Sequence, residues 1–255
     1  MKNNLIHGCL VVLSSACTFG APADAPQTAS FVSNGVKIAY ATRGQGPPVV
    51  LIHGWTVDYA TNWERPGVST KLAERFRVIE LDVRGHGGSD KPKEENLYGK
   101  EVVEDVTRLL DHLKIRKAHI VGYSMGGTIG LNFTFQHPDR VLSLVIGGMG
   151  WQNPDEKLQG LMDQLGKLDK NAEPTALCGR SMSKLWLTQD QLKSMKTPVS
   201  VVVGDRDPIR FLYVRPLEAA RPDWPVTVIK DSDHISCVTN AEFPEVLVKA
   251  LSVER

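Results

Sequence analysis

Six short apolar-rich runs, each followed by a stretch of helical character, constrain this chain most. They lie at 49–52, 76–81, 118–121, 141–146, 199–203 and 226–229. A strand buried on both faces reads as a continuous apolar run, which is the pattern of parallel sheets. Parallel neighbours need a crossover connection, and the intervening segments have the right character for helices. In 98–113, for example, Val102, Val103, Val106, Leu109, Leu110 and Leu113 recur at helical spacing. Helices are also expected over 61–75, 127–137, 211–220 and 241–251. Ahead of these, 31–41 carries Asn34-Gly35, a hairpin turn signal, so two short antiparallel strands are expected there. The expected fold class is α/β, a mostly parallel sheet with helices on both faces.

Two segments fall outside the alternation. Residues 149–197 contain helix-like pieces and no convincing strand. Leu158, Leu161, Met162, Leu165 and Leu168 form one apolar stripe, and Leu185, Trp186, Leu192 and Met195 another. This reads as a small helical cap inserted into a core made of 24–148 and 198–255. Residues 1–23 read as a secretory signal: Lys2 is the only charge, a short apolar run follows, and Ala21-Pro22-Ala23 supplies a cleavage site. The run is short of the roughly 20 residues a membrane span needs. A periplasmic or secreted protein is expected, the alternative being a lipoprotein anchored through Cys17. Removing 1–23 takes only Lys2 from 30 basic residues set against 29 acidic ones, so the remainder is charge-balanced and no nucleic-acid partner is indicated. Cys178 and Cys237 then remain. In an oxidising compartment such a pair suggests a disulfide between the cap and the 231–237 loop, the alternative being two separate buried thiols.

The run at 118–121 leads into Gly122-Tyr123-Ser124-Met125-Gly126, and a helix-like segment follows. A strand turning sharply into a helix around G-x-S-x-G is a nucleophile elbow, with the serine pushed outward on a strained turn. A serine hydroxyl needs a base in hydrogen-bond reach, and that base needs an orienting acid. In an open α/β sheet such groups gather in loops at the carboxyl ends of strands. His234, in the polar loop Asp231-Ser232-Asp233-His234 after the last strand, is the expected base. Asp207, in Gly204-Asp205-Arg206-Asp207-Pro208 after the 199–203 strand, is the expected acid, with Asp205 as the alternative. His86, His112, His119 and His137 read as structural. Attack on a carbonyl creates an oxyanion, so backbone N–H donors are expected from Met125 and from Trp55 in His53-Gly54-Trp55. His53 reads as a brace for that loop. Trp55, Tyr123, Met149, Trp151, Leu161 and Trp186 are the expected walls of the substrate pocket.

Together, His53-Gly54-Trp55, the turn Asp82-Val83-Arg84-Gly85-His86-Gly87-Gly88-Ser89, the elbow with Gly127, the 204–208 loop and Asp233-His234 resemble the α/β-hydrolase fold family over most of 31–252. The resemblance implies an eight-stranded sheet and neither metal nor organic cofactor. It also implies that the 82–89 turn shapes the floor of the site without direct chemistry. The cap is short for the helical-lid branch of the family, so specificity residues on a lid do not carry over. The expected activity is cleavage of small carboxylic esters through an acyl-enzyme on Ser124, with no preference read for oligomeric state. Ser124-Met125-Gly126-Gly127 is also similar to enol-lactonases and ring-cleavage-product hydrolases, which keeps lactone, amide and carbon–carbon bonds as alternatives. A cofactor-free haloperoxidase-like activity is a further variant, and a ligand-binding protein with a vestigial triad is the alternative outside enzymes. A dehalogenase is disfavoured because its nucleophile would be an aspartate at position 124.

Overall fold

Asn34 and Gly35 both take left-handed backbone, at φ +48° and +78°. That geometry fits the two-residue hairpin turn their side chains favour. It joins β1 (Gln27–Ser33) to β2 (Val36–Arg43) in antiparallel register, Ser33 opposite Val36. A computed structural model describes residues 25–153 and 173–252, and the features below are those of the described residues. The signal expected at 1–23, with Cys17, lies outside them. The remaining strands are β3 (Pro48–Ile52), β4 (Arg77–Leu81), β5 (Ala118–Tyr123), β6 (Val141–Gly147), β7 (Val199–Gly204) and β8 (Val226–Ile229). They form one eight-stranded sheet in the order β1-β2-β4-β3-β5-β6-β7-β8. The two pairings of β2 are antiparallel and the rest are parallel.

Helices cover both faces. On one lie α2 (Lys100–His112), α3 (Met125–Gln136) and the cap. On the other lie α1 (Val68–Ala73) and the terminal helix Glu242–Leu251. Strand alternation assigns each β5 side chain to a face: Ala118 and Ile120 pack with the cap side, Val121 and Tyr123 with the opposite side. The helix expected over 61–75 is broken into a wide turn at Ala60–Glu64 and α1. Pro66 cannot donate within a helix and Gly67 sits at φ +80°, which ends one piece and starts the next. The described part of the cap holds helix Pro174–Ser181, a turn at Met182–Leu185, and helix Gln189–Ser194, which opens on a capping box of Thr188 and Gln191. The stripe Leu158 to Leu168 lies outside the described residues. No described helix is long and apolar enough to cross a membrane.

The disulfide expectation is overturned. Cys178 and Cys237 are both free and buried, on opposite faces of the sheet. Cys178 contacts Met125, with Sγ 3.8 Å from Sδ. Cys237 packs beside Tyr123 and the terminal helix. The sheet separates them, so no side-chain rotation brings the sulfurs together. Burial pushes each thiol up to about 12, which suppresses thiolate chemistry. Thiol titration of a chain starting at residue 25, denatured without reductant, is expected to return two thiols. A return of none would restore the bond.

One buried network lies outside the expectations drawn from the sequence. Arg84 donates to both carboxylate oxygens of Asp105, at 2.7 and 2.6 Å, and also to the Leu97 carbonyl. Ser33 on β1 donates to the same carboxylate. Arg84 and Asp105 are both fully buried. The fork ties the 82–89 turn to α2 and β1. The signal was available, because Asp105 falls three residues after Val102 and four before Leu109, inside the apolar stripe of α2.

Candidate active site

The elbow glycines are required by close backbone approach. A Cβ on Gly122 would run into the Gly126 carbonyl, and one on Gly126 into the carbonyl of Ile52. Ser124 itself takes φ +53° and ψ −115°, a strained conformation for a side chain other than glycine. Its N–H donates to the Gly147 carbonyl of β6 at 2.8 Å, and its carbonyl accepts from Gly127 N–H at 2.9 Å. These bonds hold the turn while the hydroxyl projects at the carboxyl end of β5.

His234 and Asp207 meet the serine there. The Nε2 of His234 lies 3.0 Å from Ser124 Oγ, and its Nδ1 lies 2.8 Å from Asp207 Oδ2. Asp207 is fully buried, and its other oxygen accepts from the Ile209 N–H at 2.9 Å. The carboxylate can only accept, so it takes the Nδ1–H and leaves Nε2 free to accept the serine proton. The three residues therefore form one hydrogen-bonded line. The acid loop and the histidine loop are bound together as well. Ser232 N–H donates to Asp205 Oδ1 at 3.0 Å, and Arg206 N–H donates to the Ser232 carbonyl at 3.0 Å. Asp205, the alternative acid, is thus occupied with the turn, and its amide partners hold its carboxyl below the usual range.

The loop after β3 lies against the nucleophile. A Cβ on Gly54 would be 3.6 Å from the Cβ of Ser124. Gly54 N–H is taken by Asn62 Oδ1 at 2.8 Å, which leaves Trp55 as the next amide along the loop. Met125 opens α3, and the first amides of a helix have no intrahelical acceptor. Among the described residues neither the Trp55 nor the Met125 N–H has an acceptor. His53 braces the loop as expected. Val83 N–H donates to its Nε2 at 3.0 Å, so its Nδ1 carries the proton and donates to the Gly54 carbonyl at 2.7 Å. Burial lowers its pKa to about 4, keeping it neutral. Desolvation lowers His86 to about 4 likewise. In the 82–89 turn Asp82 accepts from the N–H groups of Tyr59 and Gly88, at 2.9 and 2.7 Å.

The pocket expectations divide. Trp55 is half exposed, with Nε1–H donating to the Thr175 carbonyl of the cap at 2.7 Å. Met149 and Trp151 are buried on the cap side, and Trp151 Nε1–H donates to the Leu187 carbonyl at 2.8 Å. Trp186 lines a small space with Thr128, Leu131, Trp151 and Gln152. Leu161 lies outside the described residues. Tyr123 is a correction. It faces the other side of the sheet, among Trp63 and Phe243, because β5 alternation turns it away from the cap. There its hydroxyl donates to the His234 carbonyl at 2.6 Å, tying the elbow strand to the histidine loop. Larger clefts of about 460 and 490 Å³ lie elsewhere. The first of these, at the amino ends of the strands, contains a second serine–histidine contact. His119 Nδ1 sits 2.8 Å from Ser143 Oγ, with no carboxylate on the ring among the described residues.

Comparisons with known proteins agree with this architecture. A family model described as the alpha/beta hydrolase fold matches residues 47–206, a span that contains the elbow and stops one residue before Asp207. An uncharacterized protein of Mycobacterium tuberculosis is 37% identical over 155 residues, covering 60% of this chain and 43% of its own length. The soluble epoxide hydrolase of a Corynebacterium species is 36% identical over 113 residues, covering 44% of this chain and 38% of its own. The chain thus spans less than half the length of these curated relatives. In fold, it is similar to the crystal structure of the enol-lactonase from Burkholderia xenovorans, with a TM-score of 0.73 at 20% identity, covering 88% of this chain and all of that one. With a matched span of more than half its residues and an eight-stranded sheet carrying a serine elbow after β5, the chain belongs to the α/β-hydrolase fold family.

Proposed function

We propose that the chain is an exported serine hydrolase that cleaves small carboxylic esters through an acyl-enzyme. The observation that carries this is the line Asp207–His234–Ser124, with both hydrogen bonds at 3.0 Å or less and the serine on a strained elbow. In the first half-reaction Ser124 Oγ bonds to the carbonyl carbon as its proton passes to His234 Nε2. The negative charge that gathers on the carbonyl oxygen is met by the amides of Trp55 and Met125. Collapse of the adduct breaks the bond to the alcohol, which leaves with the proton from His234. Water then attacks the acyl group with His234 again as base, and the acid is released from Ser124. Asp207 accepts from Nδ1–H and holds the imidazolium that forms twice per cycle.

Magnitude favours this division of labour. A lost oxyanion donor costs roughly 100- to 1,000-fold in comparable hydrolases, and general-base assistance contributes about 100- to 10,000-fold. The relatives carry names for different reactions, including epoxide and carbamate hydrolysis, so the ester assignment rests on the site itself. The test combines two readouts. The purified protein is incubated with a fluorophosphonate and digested, and the modified peptide is identified by mass. It is also assayed for nitrophenol release from nitrophenyl acetate and butyrate. Label on Ser124 together with multiple turnover is expected. A protein that takes no label and releases no nitrophenol refutes the assignment.

A further inference from the structure

We propose that the side chain of Trp55 is a positioning residue, which couples the cap helix Pro174–Ser181 to the oxyanion donor that Trp55 itself supplies. The inference rests on the ester-hydrolase reading above and extends it to how the donor is aimed.

The loop that carries this amide is strained. Thr56, the next residue, takes φ +65°, a region costly for a β-branched side chain, and it is exposed, so packing does not hold it there. Such conformations persist only where the surroundings over-determine them. On one side of Trp55 the loop is fixed by Asn62 and His53, which bind the backbone of Gly54. On the other side the loop is next held at Tyr59, whose N–H donates to Asp82 at 2.9 Å, and the restraint nearest the amide comes from the indole. Its Nε1–H donates to the Thr175 carbonyl at 2.7 Å. Its ring lies on Gly179, where an added Cβ would come within 2.9 Å of Cε2 and 3.0 Å of Nε1. Thr175 and Gly179 are four residues apart, on one face of the same helix. A half-exposed tryptophan is therefore held by two contacts with a segment 120 residues away.

The second donor residue touches the same helix. Met125 Sδ lies 3.8 Å from Sγ of Cys178, which is next to Gly179 in sequence. Both proposed donors thus send their side chains to the cap helix while their amides remain without acceptors at the nucleophile. Seating the helix fixes the indole, and the indole adds a hold at the Trp55 end of a peptide whose Gly54 carbonyl is already held by His53. A donor tilted out of line weakens steeply. The effect falls on the transition state, because charge develops on the carbonyl oxygen only there.

Two substitutions perturb this contact in different ways. Trp55→Phe keeps the amide and an aromatic ring but removes the indole N–H. Gly179→Ala improves helix propensity while pushing the ring off the helix. With nitrophenyl butyrate, each is expected to lower kcat by roughly 10- to 100-fold, less than loss of a whole donor, with KM within about twofold. Inhibition by butylboronic acid, which forms a tetrahedral adduct on the serine, is expected to weaken by a matching factor. The double variant is expected to be no worse than Trp55→Phe alone, because both changes break one contact. Gly179→Ala is expected to keep or raise the thermal midpoint, which separates the effect from unfolding. Wild-type kcat and boronate affinity in both single variants would overturn the inference, as would a loss confined to KM or fully additive losses in the double variant. Failure of the ester-hydrolase reading is distinct, since the unsubstituted protein would then neither turn over the ester nor bind the boronate.

Discussion

Replacing Ser124 with alanine is expected to lower kcat on nitrophenyl butyrate by on the order of 10⁴- to 10⁶-fold, with the thermal midpoint nearly unchanged. Only the hydroxyl is removed, and its hydrogen-bond partner among the described residues is His234 Nε2. The backbone at φ +53° suits alanine no worse than serine, so the fold has little reason to respond. Asp207→Asn is the companion, with about 10⁴-fold expected. An amide presents either an oxygen or an NH₂ to Nδ1. If the NH₂ faces the ring, the imidazole proton moves to Nε2, and the base then has no lone pair for Ser124. Because Asp207 is fully buried and its second oxygen takes the Ile209 N–H, that wrong arrangement is held in place. More than one hundredth of the original turnover in purified Ser124→Ala would refute a serine acyl-enzyme.

The largest stability effect is expected away from the chemistry. Asp105→Ala leaves Arg84 buried without its two-pronged carboxylate partner, with Glu101 at 3.8 Å and the Leu97 carbonyl remaining, and breaking a buried pair in this way costs about 3–5 kcal/mol. Against a typical total of about 5–15 kcal/mol for a domain, that is a large fraction. The loss reflects a buried guanidinium left under-compensated rather than the net value of the pair. An Arg84→Met and Asp105→Leu double variant should therefore recover most of it. Urea unfolding followed by circular dichroism measures both. A single variant within about 1 kcal/mol of the parent would show that water reaches Arg84 and that the fork contributes little.

Much of the site was legible because its parts sit where strands end. Ser124, Asp207 and His234 each follow an apolar run, and a parallel sheet brings such positions to one edge whatever their separation in the chain. The hairpin at Asn34-Gly35 and the eight strands were readable for similarly local reasons. What escaped notice depends on which side of the sheet a residue faces. Tyr123 is next to Ser124 in sequence, which suggests the cap side, yet one step along a strand reverses the side chain. The Cys178–Cys237 bond failed for the same reason: both cysteines belong to segments near the site, but the sheet lies between them. Pro66-Gly67 carries a helix-breaking signal inside 61–75, and in the fold that local signal prevails over a continuous helix. The partner of the Trp55 indole had no local signal, since it is a backbone carbonyl that any residue at 175 would offer.

The order of strands gives the site a weak side. Ser124 directly follows β5, inside the sheet and paired on both sides, whereas His234 follows β8, a four-residue strand paired only with β7. Terminal strands fray first and at a small fraction of the global unfolding free energy. Opening β8 alone would carry His234 away from Ser124 while the six inner strands stayed intact. The bond from Tyr123 to the His234 carbonyl acts against that separation, as a latch between the centre of the sheet and its margin. Activity is therefore expected to fall at a lower temperature than global unfolding, which residual turnover and circular dichroism followed through the same heating ramp would check, with Tyr123→Phe widening the gap.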